Sequence, residues 1–193
     1  MTYQFVILGK IEKKYQHLKA VYDEFSVAYM NEVQEKPFRD VLGELMAELN
    51  VLCNGKYSRK AQHFTPQAVS QAVSDMLGKP KEADHQTVSD ICCGSGSLVL
   101  AEMNKRVESG YEGSLSLVLN DLDTFVCKVA TIQIEFNNLI HVKNQYDLSY
   151  IIYNHDALLE YNLFCNGLVN DSKVVGCSVP KNITENVIKQ EFK

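Results

Sequence analysis

The stretch SDICCGSGSLVL, Ser89–Leu100, decides the fold. An acid, Asp90, leads into Cys92-Cys93-Gly94-Ser95-Gly96-Ser97 and then into an apolar run. Gly94 and Gly96 lack a Cβ, so the chain can turn sharply and bring bare backbone against a ligand. The residues after them fit a helix whose first N–H groups face the same turn. That is a strand–turn–helix corner of an open α/β sheet, where ligands sit at the carboxyl ends of strands. The competing reading is a metal or redox site built on the cysteines. The six cysteines, Cys53, Cys92, Cys93, Cys127, Cys165 and Cys177, include no C-x-x-C pair. Adjacent Cys92 and Cys93 point different ways and make a poor clamp, so they are read as reduced packing thiols with no metal.

Outward from this corner the pattern alternates. Thr87–Ile91 reads as a strand, Leu98–Glu108 as a helix, and GSLSLVLND (113–121) as a second strand. Phe125–Leu139 reads as a helix, SYIIYN (149–154) as a third strand, and SKVVGCSVP (172–180) as a fourth. Strands alternating with helices specify a parallel sheet, here of about four strands with flanking helices. Upstream, Tyr15–Ala28 and Phe38–Leu52 read as a helical hairpin; Phe38, Val41, Leu42, Leu45, Met46, Leu49 and Leu52 share one face. HFTPQAVSQAVSDMLGKP (63–80) reads as a helix with Thr65 as its N-cap and Pro66 in its first turn. Its expected buried face is Val69, Val73, Met76 and Leu77. Residues 1–60 are thus a helical segment, 61–180 the α/β domain and 181–193 a polar tail.

The loops after the strands carry the chemistry. Asp90 and the Gly94–Gly96 turn follow the first strand. Asp121 follows the second and is placed to accept hydrogen bonds from a ribose diol. Asp156 follows the third and is placed to read an adenine amino group. A G-x-G-x-x-G fingerprint is absent, since Leu98 and Val99 follow Ser97. That argues against a dinucleotide and toward a nucleotide-like ligand without a pyrophosphate.

The net charge is −5, with +1 over residues 1–60 and −6 over the remainder. This is a poor footprint for a stand-alone nucleic-acid binder, which gains affinity by neutralising phosphates. The local exception is KYSRK (56–60), read as a solvated loop. The start of the chain shows no secretory pattern and no apolar run is long enough for a membrane span, so the expectation is a cytoplasmic protein with no membrane association.

Four motifs together resemble the N6-adenine DNA methyltransferases, in particular the modification subunits of type I restriction-modification systems and their orphan relatives. QHFTP (62–66) is close to that family's Q-F-F-T-P and DICCGSG (90–96) to D-P-C-C-G-S-G. LNDLD (119–123) and NHDAL (154–158), the latter close to G-D-x-L, follow in the family's order. The resemblance runs from about Phe38 to Leu158. It implies a partial Rossmann-like methyltransferase fold binding S-adenosylmethionine (SAM). Phe64 and Thr65 would contact its methionine end, while Asp90, Cys92, Gly94, Ser95 and Gly96 would lie under methionine and ribose. Asp121 and Leu122 would hold the ribose, and Asp156 and Ala157 the adenine. His63, where the family has an aromatic, is read as a pocket-edge or packing residue.

One family element is missing. These enzymes need an Asn-Pro-Pro-aromatic turn after the fourth strand to hold the target adenine, and this sequence has none. The best degenerate position runs from Cys177 to Pro180, where a thiol is a weak hydrogen-bonding group and no stacking ring remains. Few residues follow to complete the sheet or form a DNA-recognition domain. The expectation is a SAM-binding, methyltransferase-like protein unable to methylate adenine alone. The alternative is a non-catalytic interaction or decoy protein that engages a restriction-modification subunit or another partner. Either way, DNA or such a subunit is the expected partner, and the incomplete sheet edge near Val174 invites self-association.

Overall fold

The computed structural model describes residues 13–49, 63–80, 85–159 and 174–178. KYSRK, Leu52, Cys53, Cys165, Pro180 and the polar tail lie outside the described residues. A 3-10 turn, Lys13–Leu18, leads into α1 (Lys19–Glu35), followed by α2 (Val41–Glu48) and α3 (Gln67–Met76). The alternating part is β1 (His85–Asp90), α4 (Ser97–Glu108), β2 (Ser114–Asn120), α5 (Thr124–Asn137) and β3 (Asp147–Tyr153), with β4 (Val174–Ser178) last. Among the described residues no helix is long and apolar enough to cross a membrane.

The four strands form one sheet in the order β1-β2-β3-β4. β1 pairs with β2 and β2 with β3 in parallel, with Asp90 opposite Leu119 and Asn120 opposite Tyr153. The α/β sheet of four strands is therefore as the alternation specified, with one difference: β4 runs antiparallel to β3, with Cys177 opposite Ile151. Gly176 is where β4 closes on α5, since a Cβ there would collide with the Thr131 side chain.

The core lies between the sheet and α4 and α5. Leu115, Leu117 and Leu119 of β2 alternate inward against Leu100, Met103 and Ile134. This strand is buried on one face by simple period-2 alternation. A second cluster joins the N-terminal helices to the domain: Tyr29 and Val33 of α1, and Leu42 and Met46 of α2, pack on Val129 of α5.

Two expectations about the helices are corrected. Pro66, not Thr65, is the N-cap of α3, and no side chain caps it. The apolar face of α3 is also not its packed face. Met76 and Leu77 are 87% and 71% exposed, with Val69 and Val73 exposed beside them. Ser70 and Ser74 are buried instead. The small serines let α3 approach α4 closely, and the Ser74 hydroxyl donates to Glu102 Oε1 at 2.6 Å. Glu102 in turn pairs with Arg106 at 2.8 Å and Lys105 at 3.1 Å, and the Lys105 ammonium also donates to the Ser74 carbonyl. A polar seam outcompeted the apolar stripe because a buried carboxylate needs several donors.

Candidate functional site

The site is built at the carboxyl ends of β1, β2 and β3. After Asp90 the chain crosses to β2, where the Cys93 N–H donates to the Asn120 carbonyl at 2.8 Å. It then turns through Gly94 and Gly96, both left-handed with φ of 52° and 97°. The Gly96 N–H closes the turn on the Cys93 carbonyl at 2.8 Å. A Cβ at Gly94 would meet no atom within 4 Å, so the backbone there is bare. Cys93 and Cys127 are buried beneath the turn and Cys92 is exposed on it. Burial pushes the Cys127 thiol up to about 12, so it is held as a neutral packing group. Among the described residues, no cluster of three or more His, Cys, Asp or Glu could hold a metal ion.

Asp121 ties the three loops together. Its Oδ2 accepts from the Gly94 N–H at 2.9 Å and its Oδ1 from the Asp123 N–H at 2.9 Å. Its own N–H donates to the Tyr153 carbonyl at 3.2 Å, and the Asn154 amide donates to its carbonyl at 2.9 Å. Asp123 then starts α5 as an N-cap, accepting from the Phe125 N–H at 2.9 Å. Asn120 does similar work, bonding the Ile91 and His155 carbonyls and accepting the His155 N–H. Asp90 accepts from the Cys92 N–H at 3.0 Å. Burial, and after it the charge of nearby Asp121, hold the Asp90 carboxyl above its ordinary range despite that bond. Asp156 Oδ1 accepts the Leu158 and Leu159 N–H groups, both at 3.0 Å. Ile91 and Leu122 add exposed apolar surface at the same edge.

The HFTP segment reaches this corner, since the Ser97 hydroxyl at the start of α4 donates to the Thr65 carbonyl at 3.0 Å. Phe64 packs on the cluster formed by α1, α2 and α5, and His63 is exposed. Ser95 lies in the turn, with its side chain directed to the interior. Its hydroxyl turns inward to the Asp40 carboxylate instead of toward the open side of the turn. Asp40 and Gln133, which form a buried network behind the loop with Asn137 packed beside them, carried no sequence motif. The one available signal was an acid three residues before Gly43 at a helix start, the spacing of an N-cap.

Cys177 does not belong to this site. It was expected at the end of a fourth parallel strand, but β4 is an outer strand running antiparallel beside β3, and Cys177 is exposed on it. Two strands separate it from β1 and the glycine turn. Cys177 thus lies apart from the glycine turn in the described sheet.

No curated protein and no solved structure matches the chain. The family described as N-6 DNA Methylase matches residues 38–164, a span that takes in α2, the HFTP segment, the glycine turn and the acids after β2 and β3. The chain therefore belongs to the N6-adenine DNA methyltransferase family.

Proposed function

We propose that the chain binds SAM across the ends of β1, β2 and β3, as the cofactor-binding part of an adenine-specific DNA methylation system. The observation that carries this is the bond from the Gly94 N–H to Asp121, which joins the bare turn to the acid best placed for a ribose. When bound, SAM supplies an activated methyl group on a sulfonium. Asp90 and Asp121 put negative charge where a cationic ligand would lie. Each Asp121 oxygen receives one backbone N–H and keeps a further lone pair for a ribose hydroxyl. Asp156 likewise keeps acceptor capacity beyond its two backbone bonds, and Ile91 and Leu122 offer apolar surface to a purine. Four free cysteines among the described residues go with a reducing, cytoplasmic setting.

The methyl acceptor is a separate matter. An adenine must leave the helix to reach such a site, and the Asn-Pro-Pro-aromatic turn that would hold it is absent from this sequence. These residues alone are therefore expected not to methylate DNA, because they carry no acceptor clamp of that kind. Tritiated methyl transfer from SAM to mixed-sequence DNA tests this. The chain alone is expected to give no incorporation. Robust incorporation that disappears in Asp90→Ala would contradict it.

A second reading, a non-catalytic protein that engages a restriction-modification subunit, is favoured by the exposed Val69, Val73, Met76 and Leu77 on α3. Sedimentation with and without a type I modification subunit distinguishes the two. Co-migration without methyl transfer favours the second reading, and self-association of the chain alone supports pairing through its sheet edge.

A further inference from the structure

Resting on the SAM-binding reading, we propose that Asp40 is a positioning residue for the cofactor loop, acting through Ser95 and Gln133 from the cap of α2. Asp40 and Ser95 are each 2% exposed, and Gln133 and Asn137 are fully buried. Asp40 Oδ1 accepts from the Gly43 N–H at 2.8 Å and from Gln133 Nε2 at 2.7 Å. Asp40 Oδ2 accepts from the Ser95 hydroxyl. Gln133 Nε2 also donates to the Ser95 carbonyl at 2.8 Å, and its Oε1 accepts the Leu42 N–H at 3.0 Å. Both ends of the Gln133 amide are thus in use, which fixes its orientation. Ser95 is gripped through its side chain and its backbone at once.

The position of the grip gives it meaning. Ser95 lies between Gly94 and Gly96, the two left-handed residues of the turn. Those glycines permit the bend but contribute no stiffness, since glycine has the widest choice of backbone conformations. The residue between them is the one the protein holds by a buried hydrogen-bond network. Gly43 is part of the device, because a Cβ there would collide with the Asp40 carboxylate. Nearby Asn137 anchors the same segment without touching the loop: its Oδ1 accepts the Phe38 N–H at 2.7 Å and its Nδ2 donates to the Gln133 carbonyl at 2.8 Å. The N-terminal helices therefore set the shape of the loop as well as packing on the domain, at a distance from any ligand.

The test compares Asp40→Ala, Asp40→Asn, Gly43→Ala and Asn137→Ala in the full chain. Two readouts are used: amide hydrogen exchange of Cys93–Ser97 without ligand, and the affinity for SAM measured by calorimetry. Asp40→Ala and Gly43→Ala are expected to speed loop exchange and weaken SAM by about tenfold or more. Asp40→Asn, which keeps an acceptor for Gly43 and a partner for Ser95, restores most of the affinity. Asn137→Ala lowers the melting temperature and leaves affinity within about twofold. Unchanged loop exchange in folded Asp40→Ala and Gly43→Ala overturns the proposal. So does an affinity that falls in Asn137→Ala as far as in Asp40→Ala, because binding would then follow stability alone. Absence of SAM binding by the wild-type chain overturns the cofactor reading instead, and the ligand-free exchange still decides the role of Asp40.

Discussion

The Gly94 N–H donates to Asp121 Oδ2 at 2.9 Å, so the turn after β1 and the acid after β2 form one unit. A ligand held by either is held by both. Asp121→Ala removes the proposed ribose acceptor and also strands the Gly94 and Asp123 N–H groups. Hydrogen bonds to charged groups contribute about 1.5–3 kcal/mol, so SAM affinity falls by roughly tenfold to a hundredfold. Asp121→Asn, which keeps an acceptor, falls less. Calorimetric titration of both variants checks the order.

Asp90 is expected to make SAM binding depend on pH. Its carboxyl is held above the ordinary value of 3.8, by burial first and then by Asp121. A cationic ligand prefers the ionised form, so SAM affinity falls as the pH drops through the raised value. Binding is therefore expected to be weaker on the acid side of that raised value than at neutral pH, and Asp90→Asn to bind weakly with the dependence reduced. In the ligand-free chain the same shift has the opposite sign for stability. The folded state holds the proton more tightly than the unfolded state, so Asp90 costs stability as the pH rises from 3.8 through its folded value.

Glu102 behaves the other way. Burial works to raise its pKa, but Ser74, Arg106 and Lys105 outweigh burial and hold it below the ordinary 4.5. Its stabilisation is complete above that value and is lost as the pH falls through the depressed one. Glu102→Gln is expected to lower the melting temperature at neutral pH and to flatten its decline below about pH 4.5. Thermal unfolding followed across the acid range measures both slopes.

The packed face of α3 can be tested directly. Ser74→Leu forces bulk into the seam against α4 and should cost about 1–3 kcal/mol. Met76→Ser changes an exposed position and should stay within about 0.5 kcal/mol. Urea midpoints of the two variants decide which side of the helix faces the protein.

Much of the fold was legible because local signals agreed. The apolar alternation of Leu115, Leu117 and Leu119 marked β2, and Gly94 and Gly96 marked the turn. The direction of β4 was not legible, since a five-residue strand carries the same alternation in either orientation and direction is set by the route of the chain. The buried face of α3 was misread because Ser70 and Ser74 look like solvent residues until Glu102 is placed against them. The contacts that Asp40, Gln133 and Asn137 make across the fold were hidden for a related reason. Each residue is polar within an amphipathic pattern, and its partner lies more than thirty residues away in the chain. The motif residues stood out in the sequence; the Asp40–Gln133 network behind Ser95 did not.

The corner at Asp90, Gly94 and Asp121 is proposed to hold SAM. Calorimetric titration of the chain with SAM, beside Asp121→Ala, tests it most directly. Saturable binding with about one site per chain is expected, weakened at least about tenfold in the variant. No binding at about millimolar SAM, or equal binding by both proteins, would contradict it.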